Sequence, residues 1–219
     1  MSDTTVVIPQ FGQSQLTIAC VDSLLEHHSR DFRILVVDDG SPREHVEALR
    51  QQPWRNVELI RSPQNHGTTH AWNLGLAQVN TPFAVLLNND VKTTGDWLDR
   101  LVQPLRVGTT VIAGVAERVE PRVPITIVNN SLLHGWCLAI NLQRIGRQPV
   151  FDERLRLYFS DTDLQCWALQ KWGTESLSLV GSLPLQHAGH QSTRHLPQRR
   201  HFWQADSKHF ERKWSIDHR

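Results

Sequence analysis

Along this chain the apolar residues fall into short unbroken runs, divided by longer stretches in which they recur at helical spacing. "TTVVIP" (residues 4–9), "RILVVDDGS" (33–41), "VELIR" (57–61) and "AVLLNNDV" (84–91) are aliphatic runs of strand length, and each gives way to polar residues. A run so short and continuous describes a strand buried on both faces, as in a parallel sheet. Between the runs, Leu16, Ile18, Ala19, Val21, Leu24 and Leu25 predict a helix over residues 16–28. Ser41-Pro42-Arg43-Glu44 has the form of a capping box with proline at the first helical position, which predicts a helix through Arg50. "HGTTHAWNLGLAQV" (66–79) predicts a third helix, weakened by Gly67 and Gly75, and a fourth spans residues 96–105. Strands alternating with helices at this spacing imply parallel strands joined by crossover helices, an α/β fold.

Past Gly108 the pattern is less regular. "TVIAGVAERV" (110–119) predicts a strand, residues 121–130 a loop or edge, and "HGWCLAINLQRIG" (134–146) a strand running into a short helical turn. "SDTDLQCWALQKW" (160–172) has helical spacing and stops at Gly173, and "SLSLVGSLPLQH" (176–187) holds two short strands. The tail over 187–219 is rich in His, Arg and Lys and ends in a helix near 203–214. No repeat or low-complexity linker divides the chain. We therefore expect one domain, with a first half over 1–107, a second over 108–219, and a basic carboxyl-terminal tail.

Composition narrows the classes. The chain has 219 residues, 39% hydrophobic and 21% charged, enough for a globular core. A formal net charge of +1 argues against a dedicated nucleic-acid binder. Cys20, Cys137 and Cys166 are far apart and form no CxxC pair, so neither a zinc site nor a disulfide framework is indicated, and a cytoplasmic setting fits best. No apolar run approaches the roughly 20 residues that span a bilayer. "MSDTTVVIP" lacks the layout of a signal peptide, so we expect the chain to begin inside the fold.

Polar clusters recur where the predicted strands end: "PQFGQ" after the first, Asp38-Asp39-Gly40-Ser41 after the second, and Asn88-Asn89-Asp90 after the fourth. Taken singly, each reads as a turn or a helix cap. In a parallel sheet, however, those ends share one edge, the edge where open α/β folds bind ligands, so their repetition favours a common site. Neither a GxxxxGK[ST] loop nor a GxGxxG fingerprint follows any of these strands. A nucleotide could still be held by carboxylates, with a divalent cation carrying its phosphates.

In order and spacing, "VVIPQFGQ", "VVDDGS", "NHGTTHAWNLG", "LLNNDV", "HGWCLAINLQRIG" and "FSDTDLQCWALQKWG" resemble glycosyltransferase family 2. The resemblance implies a GT-A fold, a Rossmann-like and mostly parallel sheet flanked by helices, and inverting transfer from a nucleotide-diphosphate sugar. By that resemblance Asp38 and Asp39, with Pro9 and its loop, read the donor's base and ribose. Asn65 and Gly67 lie beside the nucleotide. Asn88-Asn89-Asp90 is similar to a DxD motif that keeps only its last acid, so Asp90 contacts a Mn²⁺ or Mg²⁺ ion bridging the diphosphate. His187 matches a late metal-ligating histidine, with His190 as its neighbour. Asp161 matches the general base, although Ser160 stands where the family often has Glu. Gly135 and Trp136 lie where donor sugar and acceptor meet.

Asp161 has a second reading, as an acid favoured at a helix amino terminus, and Asp163 is then the better structural candidate. The acceptor is left open among saccharide, lipid-linked and protein hydroxyls. Arg194, Arg199, Arg200, Lys208, Arg212 and Lys213 form either a solvated face or a contact with an anionic membrane surface. Two other functions compete: a catalytically silent nucleotide-sugar or glycan-binding module, and a nucleotidyltransferase. The latter should show a basic glycine-rich loop after the first strand, which "PQFGQSQ" does not supply.

Overall fold

The structure is a computed structural model that describes residues 2–27, 32–118, 131–146, 150–189, 196 and 198–215. Residues 121–130, His190 and Arg194 therefore lie outside the described residues. Four strands of the first half form as their aliphatic runs dictate: β1 (Thr4–Gln10), β2 (Arg33–Asp39), β3 (Val57–Ser62) and β4 (Phe83–Leu87). Helices α1 (Ser14–Glu26), α2 (Arg43–Arg50) and α3 (Thr68–Leu76) connect them. A short β5 (Val91–Thr93) and α4 (Leu98–Val107) follow. The second half supplies β6 (Ile112–Arg118), β7 (Ser131–Asn141), α5 (Leu142–Ile145), α6 (Ser160–Trp172), β8 (Leu177–Leu179), β9 (Leu185–His187) and α7 (Arg199–Lys213).

Seven strands make one sheet in the order β3-β2-β1-β4-β7-β6-β8, and β5 pairs with β9 in a separate two-stranded sheet. Within the large sheet only β7 runs against its neighbours, antiparallel to both β4 and β6. The others run one way, so the sheet is mostly parallel, as expected. The period of two along each strand sorts side chains between two faces. Val6 and Ile8 of β1 pack with residues of α1 and α4, while Val7 packs with α3 and α6. A smaller cluster, Leu155, Cys166 and Phe210, lies between α6 and α7. All three thiols are buried and unpaired, Cys20 and Cys137 in the first cluster and Cys166 in the smallest. Among the described residues no helix is long and apolar enough to cross a membrane.

Local chemistry shifts several predicted boundaries. The capping box at Ser41 does not form. The α2 helix starts at Arg43 with no side-chain cap, and the Ser41 hydroxyl instead accepts from Gln10 Nε2 and from the Gly12 N–H, both at 2.9 Å. Gly67 has φ of +104° and stands outside α3, which is shorter than the predicted 66–79 stretch. Gly75, expected to weaken that helix, has a packing reason. A Cβ there would fall 2.4 Å from Val7 Cγ1 and 2.9 Å from Val37 Cγ2, so glycine lets α3 lie directly on β1 and β2.

Candidate active site

The carboxyl ends of β1, β2 and β4 open onto one cavity of about 290 Å³. The wall from the first half includes Pro9, Phe11, Asp39, Asn65, Gly67 and Asn88. The opposite wall comes from the second half and includes Trp136, Arg156, Phe159, Asp161 and His187. Of the residues singled out from sequence, Pro9, Asp39, Asn65, Gly67, Asn88, Asn89, Gly135, Trp136, Asp161 and His187 all line this one space.

Asp38 does not. The β1–β2 register sets it opposite Gln10, and the β2–β3 register sets it opposite Arg61. Its carboxylate is fully buried, accepting from Gln10 Nε2 and, at 3.3 Å, from the Ser41 N–H, with Arg61 Nε 3.7 Å away. In this structure it braces the turn, because the alternation of a strand sends adjacent acids to opposite sides. Asp39 alone of the pair reaches the cleft. It accepts from the backbone N–H of His66 at 3.0 and 3.1 Å and of Gly67 at 2.7 Å. Burial raises its carboxyl above the usual value, and those two N–H groups offset part of the effect.

Asp90 is not among the lining residues, although its neighbour Asn89 and its contact His187 are, and its side chain is wholly buried. The β5–β9 pairing sets Val91 opposite His187, and the Ala188 N–H donates to the Asp90 carbonyl at 3.0 Å. This short ribbon carries His187 Nε2 to 3.1 Å from Asp90 Oδ1. Among the described residues the buried His187 Nε2 has no hydrogen-bond partner, so the imidazole is held against the carboxylate without the alignment of a hydrogen bond. A buried imidazole nitrogen beside a buried carboxylate oxygen fits a divalent cation that accepts both donor types. Among the described residues no group of three or more His, Cys, Asp and Glu side chains converges, and here Asp90 and His187 are the two that meet. That number suits a cation that takes its remaining ligands from phosphate and water. Trp136 stacks on His187 with ring centroids 4.9 Å apart and planes 15° apart, and its carbonyl accepts from the Asn88 N–H at 2.9 Å.

Asp161 is the second residue of α6. Burial pushes its carboxyl above the ordinary range, against the backbone N–H groups of Thr162 and Gly135 that favour the charged form. Gly135 is tight against it: a Cβ there would sit 2.3 Å from Asp161 Oδ2. Asp163 has a different fate, accepting from Lys213 Nζ at 2.8 Å and Trp214 Nε1 at 2.9 Å, both beyond or at the end of α7. Lys213, part-exposed, is therefore engaged by Asp163 and, at 3.1 Å, by Asp152.

Sequence reading missed part of the cavity wall. Arg156 donates from Nε to the His66 carbonyl at 3.0 Å and lies 4.9 Å over the Phe202 ring. Phe159 adopts a left-handed conformation, φ +63°, just before α6. Neither feature has a short-range signal: Arg156 reaches His66 across 90 residues, and α7 packs on the segment before α6 through contacts such as those of Asp206 with residues 156–158, 48 to 50 residues apart.

A family model described as glycosyl transferase family 2 matches residues 5–161. Over 94 residues the chain is 27% identical to the teichoic acid poly(glycerol phosphate) polymerase of Staphylococcus epidermidis, covering 41% of this chain and 13% of that protein. Over 102 residues it is 34% identical to the pre-mycofactocin glycosyltransferase of Mycobacterium tuberculosis, covering 46% of this chain and 20% of that one. The chain thus spans a small part of these relatives' length. In fold it is similar to the glucosyl-3-phosphoglycerate synthase of Mycobacterium tuberculosis, solved with Mn²⁺, uridine diphosphate and glucosyl-3-phosphoglycerate. The TM-score is 0.73 at 14% identity, over 98% of this chain and 80% of that one.

Proposed function

The chain belongs to glycosyl transferase family 2, and we propose that its cleft moves a sugar from a nucleoside-diphosphate sugar to an acceptor hydroxyl in one inverting displacement. The observation that carries this reading is the meeting of Asp39 with the 65–67 loop, the Asp90–His187 pair, and Asp161 around a single cavity. Asp39, Pro9, Asn65 and Gly67 hold the base and ribose, and Asn88 and Asn89 line the path of the diphosphate. When bound, a divalent cation held by Asp90 and His187, Mn²⁺ or Mg²⁺, supplies positive charge beside the departing phosphate. Mn²⁺ in the synthase of similar fold supports that cofactor.

Asp161 takes the proton of the attacking hydroxyl. As the acceptor oxygen bonds to the anomeric carbon, the bond to the diphosphate breaks, and the nucleoside diphosphate leaves with the electron pair. The raised carboxyl makes Asp161 a better proton acceptor than an ordinary surface aspartate. Trp136 offers a ring face to the sugar. The acceptor class stays open among saccharide, lipid-linked and protein hydroxyls, and the site is proposed to work in the cytoplasm.

Incubation with UDP-glucose or GDP-mannose tests this reading through release of nucleoside diphosphate. Release should require Mn²⁺ or Mg²⁺, and Asp90→Ala should abolish it. Asp161→Asn should lower turnover roughly 10²- to 10⁴-fold with nucleotide affinity kept. Tight sugar-nucleotide binding that ignores metal and gives no turnover would replace the enzyme by a silent binding module.

A further inference from the structure

Helix α7 lies outside the 5–161 stretch that the family model matches, yet it carries a buried carboxylate that binds the loop before α6. Asp206 is 1% exposed. Its Oδ1 accepts from the Arg156 N–H at 3.2 Å, and its Oδ2 accepts from the N–H groups of Leu157 and Tyr158, both at 2.9 Å. Three consecutive backbone donors turned toward one carboxylate form an anion-binding concavity, and here the anion is supplied by the protein itself.

The captured segment leads straight into the site. Residue 159 follows at once in the left-handed region, where a bulky aromatic is a rare occupant. Its carbonyl accepts from the Asp163 N–H at 2.7 Å and so starts α6, while its ring stacks on Phe210 of α7 with centroids 5.3 Å apart. Two residues later comes Asp161. On the donor side, the Arg156 carbonyl accepts from the Thr69 N–H at 3.2 Å, which ties the same loop to α3.

We propose that Asp206 is a positioning residue of this site: by gathering the amides of residues 156–158 it sets the turn at Phe159 and hence where the Asp161 carboxylate points. The proposal rests on Asp161 being the base. The carboxyl-terminal helix is then part of the working site, not a packing tail.

Asp206→Asn tests it, because the amide keeps the volume but replaces an acceptor oxygen with an N–H₂ that faces other donors. Amide hydrogen exchange should rise about tenfold or more over residues 157–163 while β1 and β4 stay protected. Turnover of UDP-glucose or GDP-mannose with Mn²⁺ should fall about 10- to 100-fold with donor KM within about threefold, the pattern of a displaced reacting group. A merely structural role would lower the melting temperature and leave kcat in place. A folded Asp206→Asn protein with wild-type exchange over 157–163, or with wild-type kcat, overturns the proposal. Should that variant fail to fold, Asp206→Glu keeps the charge and shifts it by one methylene, and the same two readouts apply in the same direction. Asp161→Asn run in parallel separates the two ideas. If it turns over like wild type, the base assignment fails; if it is dead while Asp206→Asn is fully active, only the positioning role fails. If wild type hydrolyses neither donor, exchange over 157–163 alone decides whether Asp206 sets the turn.

Discussion

Gly135 tolerates no side chain, since a Cβ there would meet Asp161 Oδ2 at 2.3 Å and Cγ at 2.7 Å. Gly135→Ala should therefore displace the carboxylate and cut turnover by about 100-fold, with nucleoside-diphosphate binding measured by calorimetry unchanged. Asp161 itself makes a paired prediction. Burial raises its folded-state value above the ordinary aspartate value of 3.8, so the ionised form is penalised in the native protein. That penalty is present above the folded value and disappears as pH falls through it toward the unfolded value. Asp161→Asn, which cannot ionise, should then melt no lower than wild type at neutral pH even though its turnover collapses, and the difference in melting temperature should close on acidification. In the proposed reaction activity runs the other way: a base must be ionised to act, so wild-type turnover should fall as pH drops through a value above 3.8. Both residues were legible in the motifs, but their contact was not, because it depends on the middle of β7 lying beside the first turn of α6. The withdrawal of Asp38 behind Gln10 and Ser41 was equally hidden, as it follows from register and not from residue type.

The alternating elements of the first half could be read from aliphatic runs and helical spacing alone, since each strand and its crossover helix bury one another locally. What could not be read was why some positions break local rules. Gly75 looks like a weak point in α3 and is instead the place where helix and sheet come closest. Gly75→Ala should destabilise the protein by about 1–3 kcal/mol in urea unfolding, the usual penalty for overpacking, despite the better helix propensity of alanine. An unchanged or raised stability would show that Val7 and Val37 can yield. Ser41 shows the converse case, a sound capping pattern overruled because its hydroxyl already serves Gln10 and Gly12. In the second half the pattern became less regular where β7 reverses direction and where α7 is held by Asp206, Asp163 and Asp152, acids that meet their partners across 48 to 61 residues of sequence.

Taken whole, the molecule is a sheet sandwiched between two sets of helices, with α7 fastened beside α6 through carboxylates and a small apolar cluster. That arrangement places one sulfur under the outer helix and two within the sheet's main packing. Burial pushes Cys20 and Cys166 up to about 12 and Cys137 higher still, so almost no thiolate exists at neutral pH while the chain is native. A disulfide reagent added at pH 8 therefore becomes a clock for two kinds of opening. Modification of Cys166, located by peptide mapping, should time the lifting of α7, and modification of Cys20 and Cys137 should lag behind it and time rupture of the sheet. If all three sulfurs react at one rate, the outer helix and the sheet come apart together.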